Sequence, residues 1–83
     1  MRYRLTEHAE HVLAEREIPL AWVERVLDFP ERAEPDREQP ELEHRLGRIS
    51  EHGNRVLRVI LNTMKTPVEV VTVYFDRAMR SRL

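Results

Sequence analysis

RVLRVILN at residues 55–62 and VEVVTVYF at residues 68–75 are the stretches that decide the fold of this chain. In the first, Leu57, Val59 and Leu61 alternate with other residues, which is typical of a strand with one buried side. The second is rich in β-branched and aromatic residues, which favour strands. A turn at residues 64–67 separates them. The two stretches therefore predict an antiparallel strand pair.

A third strand is predicted on the N-terminal side of this pair. Gly53 lies in the polar segment 51–54, which predicts a tight hairpin. Residues 42–50 are polar and only half patterned, and they supply the third strand. Before them, residues 30–41 contain three prolines and five acidic residues. We therefore expect a loop there, with a short edge strand before Pro35.

Two helices precede the strands. Thr6 is a suitable N-cap for a helix that runs to about Arg16, and Pro19 suits the start of a second helix over residues 20–28. Apolar residues recur at helical spacing in both, namely Leu5, Ala9, Val12 and Leu13, then Trp22, Val23, Val26 and Leu27. This order predicts an α+β fold with an N-terminal helix pair packed on one face of a three- to four-stranded antiparallel β-meander.

The alternation along the strands also predicts which side chains lie on the sheet face away from the helices. On the last two strands this set consists of Val56, Arg58, Ile60 and Asn62, together with Val68, Val70, Thr72 and Tyr74. The strand at residues 42–50 leaves two alternatives open. Either Arg45, or His44 together with Arg48, lies on that face.

Composition excludes several classes of protein. With 83 residues the chain has room for a single domain, residues 1–83. It contains no cysteine, which rules out disulfides and a cysteine nucleophile. Its longest apolar run, residues 20–23, is far too short for a membrane span or a signal-peptide core. We therefore expect a cytoplasmic protein that does not enter a membrane.

Charge is distributed unevenly along the chain. Residues 1–41 hold 6 arginines against 11 acidic residues, whereas residues 42–83 hold 7 arginines and Lys65 against 4 acidic residues. A basic side of this kind attracts phosphates, and arginine recognises them better than lysine does. Ordinary solvation of exposed faces would give the same pattern, so both interpretations stay open.

His8 is the side chain best placed for acid–base chemistry. At about 100° per residue it falls at the border of the first apolar stripe. There it either reaches the sheet as a general acid or base, or is packed at the helix edge and satisfied by water or backbone. His11 points about 60° away from it, and no third ligand has suitable spacing, so no metal site is expected. Arg16 lies within the stripe and either caps the helix or binds a ligand. Only two glycines are present, so we expect no phosphate-cradling loop and no cofactor.

Four segments together resemble the domain-of-unknown-function 4258 family. They are HAEHVLAEREI at residues 8–18, VLDFP at 26–30, LGRI at 46–49 and VVTVY at 70–74. That family is similar in layout to the RelE/ParE and BrnT ribonuclease toxins, whose fold combines a helix pair with a sheet. The resemblance implies a metal-independent endoribonuclease of a toxin–antitoxin system, with RNA as substrate and a cognate antitoxin as partner.

The resemblance carries three motif positions over to this chain. His8 matches the family's opening histidine, Arg16 its arginine before the inter-helix turn, and Gly47-Arg48 its glycine–arginine pair. After that first arginine the family has glycine, whereas this chain has Glu17. Either the backbone is strained at this position or the turn differs from the family's.

The ribonuclease hypothesis assigns roles to the matched residues and, beyond the matches, to Arg45, Arg58 and Tyr74. His8 is expected to act as general base or acid, and Tyr74 to position the ribose or stack a base. Arg48, Arg45 and Arg58 are expected to hold the scissile phosphate, and Arg16 is a further candidate for binding RNA. Because the net charge is −1, binding would depend on such local arginines and not on an overall field.

A second hypothesis is a non-enzymatic module that dimerises or binds another protein. Its contact surface would be the free sheet face or the edge strand. The acidic segment 30–41 would then act as a contact arm. The apolar residues expected in such an interface are Val56, Ile60, Val68 and Val70.

Overall fold

Five strands form one mixed sheet in the computed structural model, which describes residues 1–83. The strands are β1 (Tyr3–Leu5), β2 (Arg32–Pro35), β3 (Leu42–Ile49), β4 (Arg55–Asn62) and β5 (Val68–Phe75). Their order across the sheet is β1-β5-β4-β3-β2. Strands β2 to β5 form an antiparallel meander, and β1 pairs in parallel with β5. The α+β class is confirmed, but a purely antiparallel sheet is wrong because β1 was not predicted.

The two helices lie where the apolar spacing predicts them. Helix α1 spans Glu7–Glu15, and the Thr6 hydroxyl caps it by accepting a hydrogen bond from the Ala9 amide at 3.0 Å. Helix α2 spans Leu20–Asp28 and begins after Pro19. Packing places α2 on β3 and β4, and α1 on β5 and β1. Neither helix is long and apolar enough to cross a membrane.

The main core lies between the helices and one face of the sheet. The strands contribute Leu57, Val59 and Leu61, as the alternation predicts, and each is fully buried. The other core residues are Ala9, Leu13, Ile18, Val23, Val26, Leu27, Ile49, Val70 and Val73. Burial of these side chains supplies most of the stabilising free energy of a domain of this size.

An irregularity in β5 changes which side chains face the core. Ile60 pairs with Thr72 while Leu61 pairs with Val70, so Val71 is an extra residue on β5. Such a bulge reverses the alternation on one side of it. Val70 therefore lies in the core, and partly buried Val68 packs against that core. The prediction that these two valines lie on the opposite face is wrong.

For the β5 residues that follow the bulge, the predicted face of the sheet is correct. Tyr74 pairs with Arg58 and Thr72 with Ile60 on the side away from the helices. On β3, Leu46 pairs with Arg58 and Arg45 with Val59. This register resolves the open alternative, because it places His44 and Arg48 on the face of Arg58, and Arg45 on the helix face.

The sheet face opposite the helices is not free along its whole length. Leu46 and Val56 are fully buried there, in a small second cluster with Met79, against which Leu83 packs. Met79 belongs to a 3₁₀ turn, Arg77–Met79, that follows β5. Val56 is therefore part of this chain's own core and does not belong to an exposed interface.

The joint between the helices contains a strained residue. Glu17 has a φ of 53°, in the left-handed region that costs a non-glycine residue about 1–2 kcal/mol. The Ile18 amide donates to the Leu13 carbonyl at 3.0 Å and closes the turn. Of the two alternatives for Glu17, a strained backbone or a different turn, the structure shows the strained backbone.

Glu17→Gly should therefore stabilise the fold by about 1 kcal/mol, because glycine adopts positive φ without a steric penalty. Urea unfolding measures the difference. Glu10→Gly is the matched control. Glu10 is exposed within α1, where glycine should lower the free energy of unfolding by about 1 kcal/mol. If both variants lost stability, the strain at residue 17 would be refuted.

Candidate functional site

A cleft of about 590 Å³ follows the outer edge of β5. Strand β1 pairs only with Val68–Val70, so the remainder of that edge has no neighbouring strand. Helix α1 lies against this unpaired part. The cleft is lined by His8, His11, Val12, Glu15, Arg16, Ile18, His52, Arg55, Thr72, Val73, Tyr74, Phe75 and Arg77.

His8 enters the cleft because Thr6 fixes the start of α1 against β5. The Thr6 amide donates to the Val70 carbonyl at 3.0 Å, and its hydroxyl donates to the Val71 carbonyl at 3.1 Å. One half-turn further on, His8 Nε2 lies 3.2 Å from Thr72 Oγ1. The imidazole is exposed on its other side. It is therefore held at one nitrogen and open to a ligand.

The cleft unites three of the six side chains predicted for the site. Arg16, at the C-terminal end of α1, and Tyr74, on β5, line it together with His8. Tyr74 is 42 % exposed, which is unusual for so large an aromatic side chain. These three residues come from segments far apart in the chain, and the sheet edge brings them together.

Two further arginines, which were not predicted from the sequence, also line the cleft. Arg55 is the first residue of β4, and Arg77 follows β5. The Asp76 amide donates to the Val56 carbonyl at 2.9 Å, which brings these two chain segments side by side. Their position in the sequence could have identified them, because both arginines stand where a predicted strand begins or ends.

The charge of the cleft is strongly positive. Arg16, Arg55 and Arg77 form no ion pair, whereas the ion-paired arginines of the chain are Arg4, Arg25, Arg45, Arg48 and Arg58. Glu15 is the one acidic residue of the lining, and its carboxylate lies 2.9 Å from His11. Three guanidinium groups without a carboxylate partner form a site for an anion.

Aromatic rings stand beside these charges. The His52 and Phe75 ring centroids are 4.8 Å apart, and Trp22 lies 5.5 Å from His52 and 6.3 Å from Phe75. Arg55 Nη1 lies 3.5 Å from His52 Nε2. His52 belongs to the predicted hairpin segment 51–54, and the packing of its turn against α2 places it in the cleft.

An ion pair holds that turn in place. Arg25 on α2 donates two hydrogen bonds, of 2.8 and 2.7 Å, to the carboxylate of Glu51, which precedes His52. The pKa of Glu51 is lowered from 4.5 to about 2, chiefly by the Arg25 hydrogen bonds and further by those from its own amide and the Ser50 hydroxyl. The His52 turn is thus tied to the second helix.

Two of the arginines predicted to hold phosphate lie outside the cleft and are already engaged. Arg45 donates to the Leu27 carbonyl at 2.8 Å and pairs with Glu43 at 2.6 Å. Arg48 pairs with Glu31 at 2.8 Å and donates to the Leu83 main-chain oxygen. Both guanidinium groups therefore hold parts of the fold together.

Arg58 is the centre of a buried polar network on the face opposite the helices. It is 8 % exposed, and its Nε and Nη2 lie 2.9 and 2.8 Å from Asp76 Oδ2. Its Nη1 lies 2.7 Å from His44 Nδ1, and His44 Nε2 lies 2.7 Å from Asp36 Oδ1. Since a guanidinium only donates, His44 Nδ1 accepts and its Nε2–H donates to Asp36.

The hydrogen bond from His44 lowers the pKa of Asp36, with further contributions from the amides of Gln39 and Glu38. The loop after β2 is therefore anchored to the sheet through this one carboxylate. No group of three or more histidine and carboxylate side chains is arranged to hold a metal ion.

Comparison with known proteins gives a family match. A family model described as "Domain of unknown function (DUF4258)" matches residues 5–75. The matched span covers both helices and β2 to β5, and it ends before Arg77. No curated protein and no solved structure matches the chain.

Arg58→Met should lower the free energy of unfolding by about 3 kcal/mol, because it leaves the Asp76 carboxylate without its partner in a largely buried setting. Chemical denaturation measures the loss. Arg25→Met breaks an ion pair that is also made by two guanidinium nitrogens, but in an exposed setting, and serves as the control. Its loss should be clearly smaller, since water screens that pair. Equal losses would contradict a structural role for Arg58.

Lowering the pH should weaken the contribution of Glu51 to the free energy of unfolding. Its pKa is lowered on folding, so the stabilisation is complete above about pH 4.5 and is lost as the pH falls towards 2. The gap in unfolding free energy between the wild type and Glu51→Gln should therefore narrow between pH 5 and about pH 2. Arg25→Met, which removes the main cause, should flatten this pH dependence. A gap that stays constant would disprove the assignment.

Proposed function

We propose that this chain, which belongs to the DUF4258 family, is a metal-independent endoribonuclease whose active site is the cleft along β5. The observation that carries the proposal is the position of His8, an accessible imidazole in the same cleft as three arginines without carboxylate partners. An acid–base group beside unpaired cations suits a reaction at a phosphodiester.

RNA carries its own nucleophile, which is why so small a site suffices. The 2′-hydroxyl attacks the adjacent phosphorus, the bond to the 5′-oxygen breaks, and a 2′,3′-cyclic phosphate and a 5′-hydroxyl end result. A base must take the 2′-hydroxyl proton, and an acid must give a proton to the leaving oxygen. The protein has to supply these proton transfers, and cations for the charge that develops on the phosphate.

His8 is proposed as the proton-transfer group. An imidazole gains and loses a proton near neutral pH, so it can serve as base or acid. Thr72 holds Nε2 at 3.2 Å and so restricts the ring's orientation. The exposed side of the His8 ring is the side that contacts the substrate. Tyr74, exposed in the same cleft, is proposed to position the ribose through its hydroxyl.

Phosphate binding is assigned to Arg16, Arg55 and Arg77. Their donors are not used by carboxylates of the chain, whereas Arg45, Arg48 and Arg58 are held by partners elsewhere. The phosphate-binding role predicted for those three is therefore transferred to the arginines of the cleft. In a toxin–antitoxin setting, a cognate antitoxin would act by covering this cleft.

A second candidate function is a protein-interaction module, favoured by the open edge of β5. Beyond Val70 this strand has no neighbour on its outer side, and an extended segment of another protein could pair there. Such a segment would occupy the proposed active site. Size-exclusion chromatography of the free protein, together with the cleavage assay below, separates the two functions.

The test is incubation of purified protein with total RNA, with chelator present, and analysis of the ends formed. Wild type should yield 2′,3′-cyclic phosphate ends. His8→Ala should slow cleavage by at least about a hundredfold, and Arg77→Gln by about a hundredfold. The rates come from a single-stranded RNA labelled at one end.

Arg37→Gln is the matched control for Arg77→Gln, since Arg37 is an exposed arginine of the loop after β2, outside the cleft. It should leave the rate unchanged. Urea unfolding of each variant verifies that lost activity is not lost folding. If wild type leaves RNA intact, or if His8→Ala cleaves as fast, the ribonuclease proposal is abandoned.

A further inference from the structure

A cluster of three aromatic rings adjoins the arginines of the cleft, and the proposed proton transfers do not use it. His52 and Phe75 line the cleft with centroids 4.8 Å apart and planes inclined by 40°. Trp22 stands behind them, edge-on to Phe75 at 74°. His52 is exposed, so this member of the cluster is accessible from solvent.

Packing and hydrogen bonds fix the side of this aromatic cluster that faces the protein. Trp22 and Phe75 pack against the main core, and Arg25 fixes the turn that carries His52 through its two hydrogen bonds to Glu51. A platform held in this way loses little conformational freedom when a flat ligand binds to it.

A cation lies next to the platform. Arg55 Nη1 is 3.5 Å from His52 Nε2, and Arg55 belongs to the proposed phosphate site. An exposed aromatic ring beside a guanidinium without a carboxylate partner matches a nucleotide, in which a base stands next to a phosphate. Aromatic stacking combined with backbone cations is the usual means of binding single-stranded nucleic acid.

We propose that His52 and Phe75 form a base-stacking subsite, so that the substrate class is single-stranded RNA with an unpaired base beside the scissile phosphate. This inference rests on the proposed ribonuclease function and specifies its substrate. In a duplex both faces of a base are covered by its neighbours, and the base cannot reach the platform without leaving the helix.

Trp22 provides a reporter for this subsite. It is the only tryptophan in the chain, and its ring lies 5.5 Å from His52. A base that stacks on His52 should therefore change the Trp22 fluorescence, whereas a phosphate bound at Arg77 alone should not.

The experiment titrates the wild-type chain with a short oligonucleotide whose 2′-deoxy sugars prevent cleavage. The same sequence is used in three forms: single-stranded, paired with its complement, and abasic. The single strand should quench Trp22 and bind at least about tenfold tighter than the other two. Equal affinity for all three forms, or binding without a change in fluorescence, would overturn the subsite.

Two variants localise the effect. Phe75→Leu and His52→Ala should each weaken binding of the single strand about tenfold and leave binding of the abasic form unchanged. His52→Ala alters an exposed side chain, so it stays informative if Phe75→Leu disturbs the core. Phe29→Leu, at an exposed phenylalanine outside the cleft, is the control and should bind as wild type does.

The results separate this inference from the function on which it rests. Cleavage of single-stranded and duplex RNA at equal rates would refute the stacking subsite and support the nuclease. Selective quenching by single strands, from a chain that cleaves no RNA, would support the subsite and refute the nuclease.

Discussion

Thr6 holds the start of α1 against β5, and the cleft depends on this attachment. Its amide and hydroxyl donate to two successive carbonyls of β5, while the same hydroxyl accepts from the first turn of the helix. The chain therefore leaves the sheet after only three residues of β1. Had β1 continued, it would have covered the edge of β5 along which His8, Arg16 and Tyr74 now lie.

Elements with a long apolar repeat could be predicted from sequence, and short or irregular ones could not. Helices α1 and α2 and strands β4 and β5 carry enough repeats to define both type and extent. Strand β1 has three residues and shows no repeat. The bulge at Val71 has no glycine or proline to mark it, so the alternation of β5 misplaces Val68 and Val70.

The candidate site was predictable only in part, because arginine does not reveal its partners in sequence. His8 was identified from its angle on the helix, which is a local property. The carboxylate that occupies Arg58 is 18 residues away, and the histidine in the same network is 14 residues away. Pairings over such distances follow from register. Arg45 and Arg48 lie within a strand and have carboxylate partners, whereas Arg55 and Arg77 stand at strand ends and have none.

The cleft forms late, because the chain is synthesised from its N-terminus and the cleft needs the last strand. His8 and the threonine that holds its ring are 64 residues apart, and β1 pairs with the last strand to be made. A ribosome that is still extending the meander carries a helix pair without the sheet edge that completes the cleft. Whatever ligand the cleft binds, a nascent chain cannot hold it until β5 has emerged from the ribosome.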